Sequence, residues 1–356
     1  MNFRILHVAS GREWRGGQRQ VWLLARGLAA LGVPQTVLTG TGTILASRLA
    51  EAGISVREVG WSMGIDPRAA MSAIIAARKE PVVLHAHDAH AAVLASFARR
   101  WARRPFIATR RTNFPLSRPG AWAVADRVVA ISAAVRATLE RSGIQRSRLV
   151  VIPSGIDIAE TRAAERMDVR ARLDLPPEAL LVVAVGALTI EKGHEDLIAA
   201  IALLRESMPL VHLVIAGAGP LRARLEQQAI SAGIRDRVHL LGHLPEAASL
   251  IAEANLFVLP SREEGLGTSI LEAFALDVPV LATRVGGVPD LVGADAGLLV
   301  PPADTAALAG AISRFLGDGT LRQSCISGAR LRLPAFTASG MAESHRTVYR
   351  SLVPDH

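Results

Sequence analysis

The stretch Asn255-Leu256-Phe257-Val258-Leu259-Pro260-Ser261-Arg262-Glu263-Glu264-Gly265-Leu266-Gly267-Thr268-Ser269-Ile270-Leu271-Glu272 decides the architecture. Asn255 to Pro260 is a short apolar run bounded by turn residues, the mark of a buried strand. Gly265 and Gly267 let the backbone turn sharply after it, and a helix begins near Thr268. A helix that starts beyond a strand's carboxyl end presents unpaired amides and the positive end of its dipole there. The turn Gly265-Leu266-Gly267 with the amides of Thr268 and Ser269 is therefore a cradle suited to a diphosphate. Glu264 lies in the loop before those amides, and Glu272 lies a turn inside the helix. Each carboxylate can accept hydrogen bonds from hydroxyls flanking the phosphates. One suits a sugar, the other a ribose.

The same strand, turn and helix rhythm runs outward in both directions. Arg4 to Ala9 is a strand, Gly16-Gly17 a glycine turn, and Gln20 to Leu31 a helical pattern closed by Gly32. Further short apolar strands are expected at 35–39, 82–85, 106–109, 127–131 and 149–152. A polar passage rich in Arg and Glu follows Pro153 and runs to Pro176-Pro177. The rhythm then restarts with strands at 181–185, 211–216, 238–241, 256–259 and 278–282. Such alternation implies parallel sheets covered by helices on both faces, in two doubly wound α/β domains.

Composition agrees with a folded, core-rich chain: half of its 356 residues are hydrophobic and a fifth are charged. That length fits two domains of ordinary size. No apolar run reaches the roughly 20 residues needed to cross a bilayer. The amino terminus reads as a strand, with none of the features of a signal peptide. Cys325 is the single cysteine, which excludes an intrachain disulfide or paired thiolates for a metal, and agrees with a reducing cytoplasm.

Charge is unevenly shared. Residues 1–160 carry 22 Arg and Lys against 10 Asp and Glu, and the remainder 18 against 22. A basic first half suits an anionic partner such as a phospholipid surface or a phosphorylated acceptor. Nucleic acid is disfavoured, because the basic residues are not interleaved with stacking aromatics and no nucleic-acid motif is present.

Three other stretches bear on chemistry. Gly16-Gly17 lets the backbone come close to a ligand and offers amides to an anion. His85, His87 and His90 supply three imidazoles, but no second cluster or cysteine completes a coordination set, so no metal is expected. Gly217-Ala218-Gly219-Pro220 departs from a dinucleotide fingerprint, because Arg222 stands where the third glycine belongs.

The segment Ser261 to Ala273, with two glutamates separated by seven residues, resembles the signature of glycosyltransferase family 4. The resemblance continues in order through 278–283, 285–290 and 297–301, dense from Leu181 to Pro302 and looser before Pro153. It implies a GT-B fold: two facing Rossmann-like domains with a cleft between them, an acceptor-binding domain at 1–163, a nucleotide-sugar domain at 164–336, and a terminal helix at 337–356 that packs back on the first domain. It implies a retaining transfer from a nucleotide-diphosphate sugar to a glycan or glycolipid hydroxyl, with no cofactor or metal. Within that picture Glu264 orients donor hydroxyls and Lys192 neutralises the departing diphosphate. Gly16, Gly17, Gly217, Gly219 and residues 265–269 line the donor, Glu272 holds the ribose, and His87, the third catalytic residue beside Glu264 and Lys192, lies at the acceptor side. Ala187 stands where many members carry Arg, leaving Arg262 or Arg284 as substitute cations. Arg110 or Arg111 replaces a family histidine and suits an anionic acceptor. Bacterial envelope glycan synthesis on the inner membrane face is the implied setting. A sugar-nucleotide epimerase and a catalytically silent binding protein are the alternatives.

Overall fold

The computed structural model describes residues 3–61, 66–79 and 81–353. The chain divides into two compact units, Met1–Gly155 with Phe336–His356, and Ile156–Ala335. The first unit alternates β1 (Arg4–Val8), α1 (Gly16–Ala30), β2 (Gln35–Gly40), α2 (Ile44–Glu51), β3 (Val56–Val59), α3 (Pro67–Lys79), β4 (Val82–Ala86), α4 (Ala89–Ala102), β5 (Phe106–Arg110), α5 (Gly120–Ala123), β6 (Arg127–Ala130), α6 (Ala133–Arg141) and β7 (Leu149–Val151). The second unit continues with α7 (Ile158–Arg162), α8 (Val169–Arg172), β8 (Leu180–Val185), α9 (His194–Leu203), β9 (Val211–Ala216), α10 (Arg222–Ser231), β10 (Val238–Gly242), α11 (Ala248–Ile251), β11 (Leu256–Leu259), α12 (Thr268–Ala275), β12 (Val280–Thr283), α13 (Val288–Val292), β13 (Leu298–Val300), α14 (Thr305–Gly317) and α15 (Gly319–Arg332). The chain then returns to the first unit as α16 (Ala338–Arg350).

Every strand pairing is parallel, in the orders β3-β2-β1-β4-β5-β6-β7 and β10-β9-β8-β11-β12-β13. Both orders reverse direction once, between β1 and β4 and between β8 and β11. Ligands of open parallel sheets bind outside the strand carboxyl ends at such switch points. Two strands lie outside the sequence expectation. β3, Val-Arg-Glu-Val, is partly exposed at a sheet edge and carries charges, and β13 is only three residues long.

The first unit ends earlier than the expected boundary at 163. α7 packs on α12, and Arg162 Nε donates to the Ala275 carbonyl at 2.8 Å, so these residues belong to the second unit. α16 packs on α1, where a Cβ on Gly27 would fall 2.6 Å from the Ala342 Cβ, so glycine permits the close helix approach. Met341, Ala342 and Tyr349 thereby join the first unit's core with Ile5, Leu24 and Leu28.

Candidate functional site

In the second unit the β8 to α9 loop and the β11 to α12 loop meet at the switch point. Gly193 has φ +65°, and a Cβ there would lie 2.0 Å from the Pro260 carbonyl, so only glycine lets the two strand ends come this close. The approach brings Lys192 Nζ to 2.6 Å from Glu264 Oε2, in a pair largely shielded from solvent. Ser261 Oγ donates to the same carboxylate oxygen at 3.2 Å, and the Gly265 amide donates to Oε1 at 3.2 Å. The Thr283 hydroxyl donates to the Ser261 carbonyl and fixes the loop to β12. Gly286, with φ +49°, presses on the Glu264 backbone: a Cβ would fall 1.7 Å from that carbonyl oxygen. Ser261, Thr283, Gly193 and Gly286 thus hold the site, and sequence reasoning gave them no role there.

Gly267 caps α12 with φ +89° and no side-chain cap. Among the described residues, the amides of Gly267, Thr268 and Ser269 have no acceptor. Leu266 is buried beneath the turn, and Glu272 is 8% exposed one turn inside the helix. Gly217 and Gly219 are each required by backbone packing. A Cβ on Gly217 would lie 1.8 Å from the Gly186 carbonyl, and one on Gly219 would lie 2.4 Å from the Leu188 carbonyl. They let the loop that begins at Gly186 nest against the end of β9, where Leu188 N donates to the Ala218 carbonyl at 3.0 Å. His194 sits under this loop, and burial lowers its pKa to about 4, so it is neutral at neutral pH.

The substitute cations resolve differently. Arg262 forks onto Asp196 at 2.8 and 2.7 Å and is committed there, while Arg284 is exposed. Lys192 is the cation that stands beside Glu264.

The first unit's switch point holds a buried imidazole cluster, and its third member is His7 of β1, not His90, which lies exposed at the start of α4. β1 pairs with β4 in a register that sets His7 beside His85. The Gln35 amide nitrogen donates to the Ala25 carbonyl at 2.7 Å, which leaves its oxygen to accept from His7 Nε2 at 3.1 Å. His7 Nδ1 must then accept from His87 Nε2 at 2.9 Å, and His87 Nδ1 faces Arg111 at 3.4 Å. His85 is held by the Tyr349 hydroxyl and the Thr109 hydroxyl, each at 2.7 Å. All six ring nitrogens have protein partners: the run from Gln35 through His7 to His87 has a fixed direction, His85 stands between two hydroxyls, and the three rings lie close enough together to hold a metal. Burial first, then the neighbouring His345, lowers the His7 pKa to about 3, and His85 and His87 also lie well below the ordinary histidine value.

His87 is therefore not the free acceptor-side group expected from the sequence. It is buried, neutral and occupied at both nitrogens. Its carbonyl accepts from Arg111 at 2.8 Å, which makes it a holder of that guanidinium. Arg111 carries an unpartnered, buried Nε, and desolvation lowers its pKa to about 10, still a cation at neutral pH. Arg110 is spent on its own loop, donating to the carbonyls of Thr112 at 3.2 Å and Phe114 at 2.9 Å. Gly16 and Gly17 are the first residues of α1 and not a loop. Open space surrounds the Cβ position of Gly17.

Comparison with known proteins follows the two units. The model of Glycosyltransferase Family 4 matches residues 14–160, and that of Glycosyl transferases group 1 matches residues 165–332. The alpha-D-kanosaminyltransferase of Streptomyces kanamyceticus is 36% identical over 53% of this chain and 50% of its own length. The D-inositol 3-phosphate glycosyltransferase of Acidothermus cellulolyticus is 32% identical over 65% of this chain and 55% of its own. The chain thus spans about half the length of either relative. The crystal structure of Anabaena HepE in complex with UDP-glucose shares the fold at a TM-score of 0.87, with 21% identity over 98% of this chain and 100% of that one. Two parallel-sheet Rossmann-like units of the GT-B class, each matched by one of these models, show that the chain belongs to glycosyltransferase family 4.

Proposed function

We propose that the protein is a metal-independent retaining glycosyltransferase that moves a sugar from a nucleotide-diphosphate sugar to a hydroxyl of an envelope glycan or glycolipid. The observation that carries this reading is the Lys192–Glu264 pair beside the unspent amides that open α12. An ammonium and three amides form an electropositive cradle for a leaving diphosphate, placed where they cost no reorganisation as charge develops. Glu264, already anchored by Ser261 and the Gly265 amide, exchanges part of its bond with Lys192 for donor hydroxyls when the donor enters. Glu272 takes the ribose hydroxyls. The acceptor oxygen attacks from the face the diphosphate leaves, and the departing phosphate takes up its proton. Arg111, held by His87, supplies a cation on the acceptor side. Among the described residues no helix is long and apolar enough to cross a membrane.

The test is a thermal-shift screen of UDP, GDP, ADP and CMP with their common sugar conjugates, repeated on Glu272→Ala. HepE's complex makes UDP-glucose the first donor to try. A selective shift lost in the variant, followed by nucleotide diphosphate release only when donor and acceptor are both present, supports the reading. Conversion of the donor without an acceptor would replace it with an epimerase. Binding without turnover would leave a silent binding protein, and no shift with any nucleotide would remove it.

A further inference from the structure

The first unit carries an exposed apolar surface that its own fold does not explain. α3 and α4 are consecutive crossovers that move the chain the same way across the sheet, from β3 to β4 and from β4 to β5, so right-handed connections place them on one face. They pack on one another, and the Arg78 guanidinium reaches the Trp101 carbonyl at 3.5 Å, which sets their carboxyl ends side by side. α3 turns an alanine stripe inward, Ala69, Ala73 and Ala77, all fully buried. Its opposite face exposes Met71 and Ile75, one turn apart. α4 likewise exposes Phe97 (46%) and Trp101 (60%), one turn apart. Single exposed apolar residues are ordinary, but two aligned pairs on neighbouring helices, one pair aromatic, are not.

Among the described residues, the exposed charges at the carboxyl ends of both helices are basic. Arg78 and Lys79 are exposed at the end of α3, and Arg100 and Arg103 at the end of α4. Neither helix contains a carboxylate. Cations at helix carboxyl ends complement the dipole, yet that accounts only for the charges and leaves the aromatics without a purpose. Tryptophan and phenylalanine ringed by arginine and lysine match the boundary between headgroups and acyl chains, where apolar rings enter and long basic side chains reach back to phosphates.

We propose that the α3–α4 face of the first unit docks on anionic lipid, with Phe97, Trp101, Met71 and Ile75 entering the interface and Arg78, Lys79, Arg100 and Arg103 pairing with headgroup phosphates. A second copy of the chain fits poorly, because two such faces would oppose like charges. The inference does not depend on the donor site.

The experiment is flotation of the full chain with phosphatidylcholine vesicles with and without phosphatidylglycerol, in low and high salt, with no nucleotide added. The wild type is expected to float with anionic vesicles only, and less at high salt. Lys79→Gln and Arg100→Gln should each lower partitioning about fivefold. The double change Phe97→Ser with Trp101→Ser should lower it roughly tenfold or more, because the apolar insertion is lost. Leu331→Ser, on a residue of the second unit that is 81% exposed, is the control and should change nothing. Unchanged melting temperatures and nucleotide shifts show that each variant is folded. Binding indifferent to lipid charge, an equal loss in the Leu331 variant, or no vesicle binding would overturn the proposal. So would a Phe97- and Trp101-dependent dimer, or capture of RNA in place of vesicles. None of those outcomes would touch the assignment of the donor site, which the nucleotide screen tests separately.

Discussion

Replacing Gly286 by alanine probes how the Glu264 loop is held, through a residue that presses on the Glu264 backbone and carries no side chain of its own. The new Cβ would sit 1.7 Å from the Glu264 carbonyl oxygen and 2.8 Å from its carbonyl carbon. Restoring ordinary contact requires a displacement of about 1.5 Å or more, and the obstacle is backbone, which cannot rotate away. Gly286 also holds φ +49°, where a side chain costs about 1 to 2 kcal/mol. With the strain of an overfilled site, the variant should lose about 2 to 4 kcal/mol of stability. Functional damage should exceed that loss, because the moved residue is the partner of Lys192. A shift of this size in a positioning element can cost about a hundredfold in rate. Urea unfolding measures the first quantity, and the donor-dependent thermal shift with turnover measures the second. Gly310→Ala is the matched control: it lies exposed inside α14 with open space at its Cβ, and should stabilise by about 0.5 to 1 kcal/mol. If Gly286→Ala unfolds like the wild type and keeps full nucleotide binding and turnover, the argument from close approach is wrong.

Tyr349→Phe removes the hydroxyl that meets His85 Nδ1 and should cost about 1 to 3 kcal/mol in urea unfolding, since a buried ring nitrogen loses its partner; an unchanged midpoint would sink the assigned role of that bond. His7, His194 and His345 are buried, with pKa values lowered to about 3, 4 and 4, whereas unfolded histidine titrates near 6.5. Below about pH 6.5 the unfolded chain binds protons that the folded one refuses, so stability is fully present above that pH and falls as pH drops toward 4. The slope should reach up to about 1.4 kcal/mol per pH unit for each such histidine, and a flat profile between pH 7 and 5 would contradict their burial. Dialysis against a chelator should leave nucleotide binding, turnover and melting temperature unchanged, whereas stoichiometric zinc retained by the purified protein and lost in His7→Gln would show that the imidazole cluster is a metal centre.

The fold was legible because strand and helix periods alternate so regularly, and because Gly265 and Gly267 follow an apolar run and precede a helix start. Lys192 and Glu264 could be chosen for the same reason: both follow strand ends where a parallel sheet places ligands. Their direct pairing could not be read, because it depends on β8 and β11 being neighbours although two strands' worth of chain separates them. His7 escaped notice on the same ground, since it becomes a cluster member only through the β1 to β4 register. Gly286 looked like any glycine of a loop. Its purpose is defined by a carbonyl on another strand's loop, and sequence carries no sign of that distance. Arg110 and Arg111 are adjacent and chemically alike, yet one folds on its own loop and the other on His87.

The bond between His85 and Tyr349 spans 264 positions along the chain. α16, which closes the first unit's core, is made only after the whole of the second unit. During synthesis the second unit, continuous from Ile156 to Ala335, can finish folding while the first still lacks the helix that covers α1. The earliest-made sheet thus waits for the last-made helix, with the apolar surface of α1 uncovered until α16 arrives.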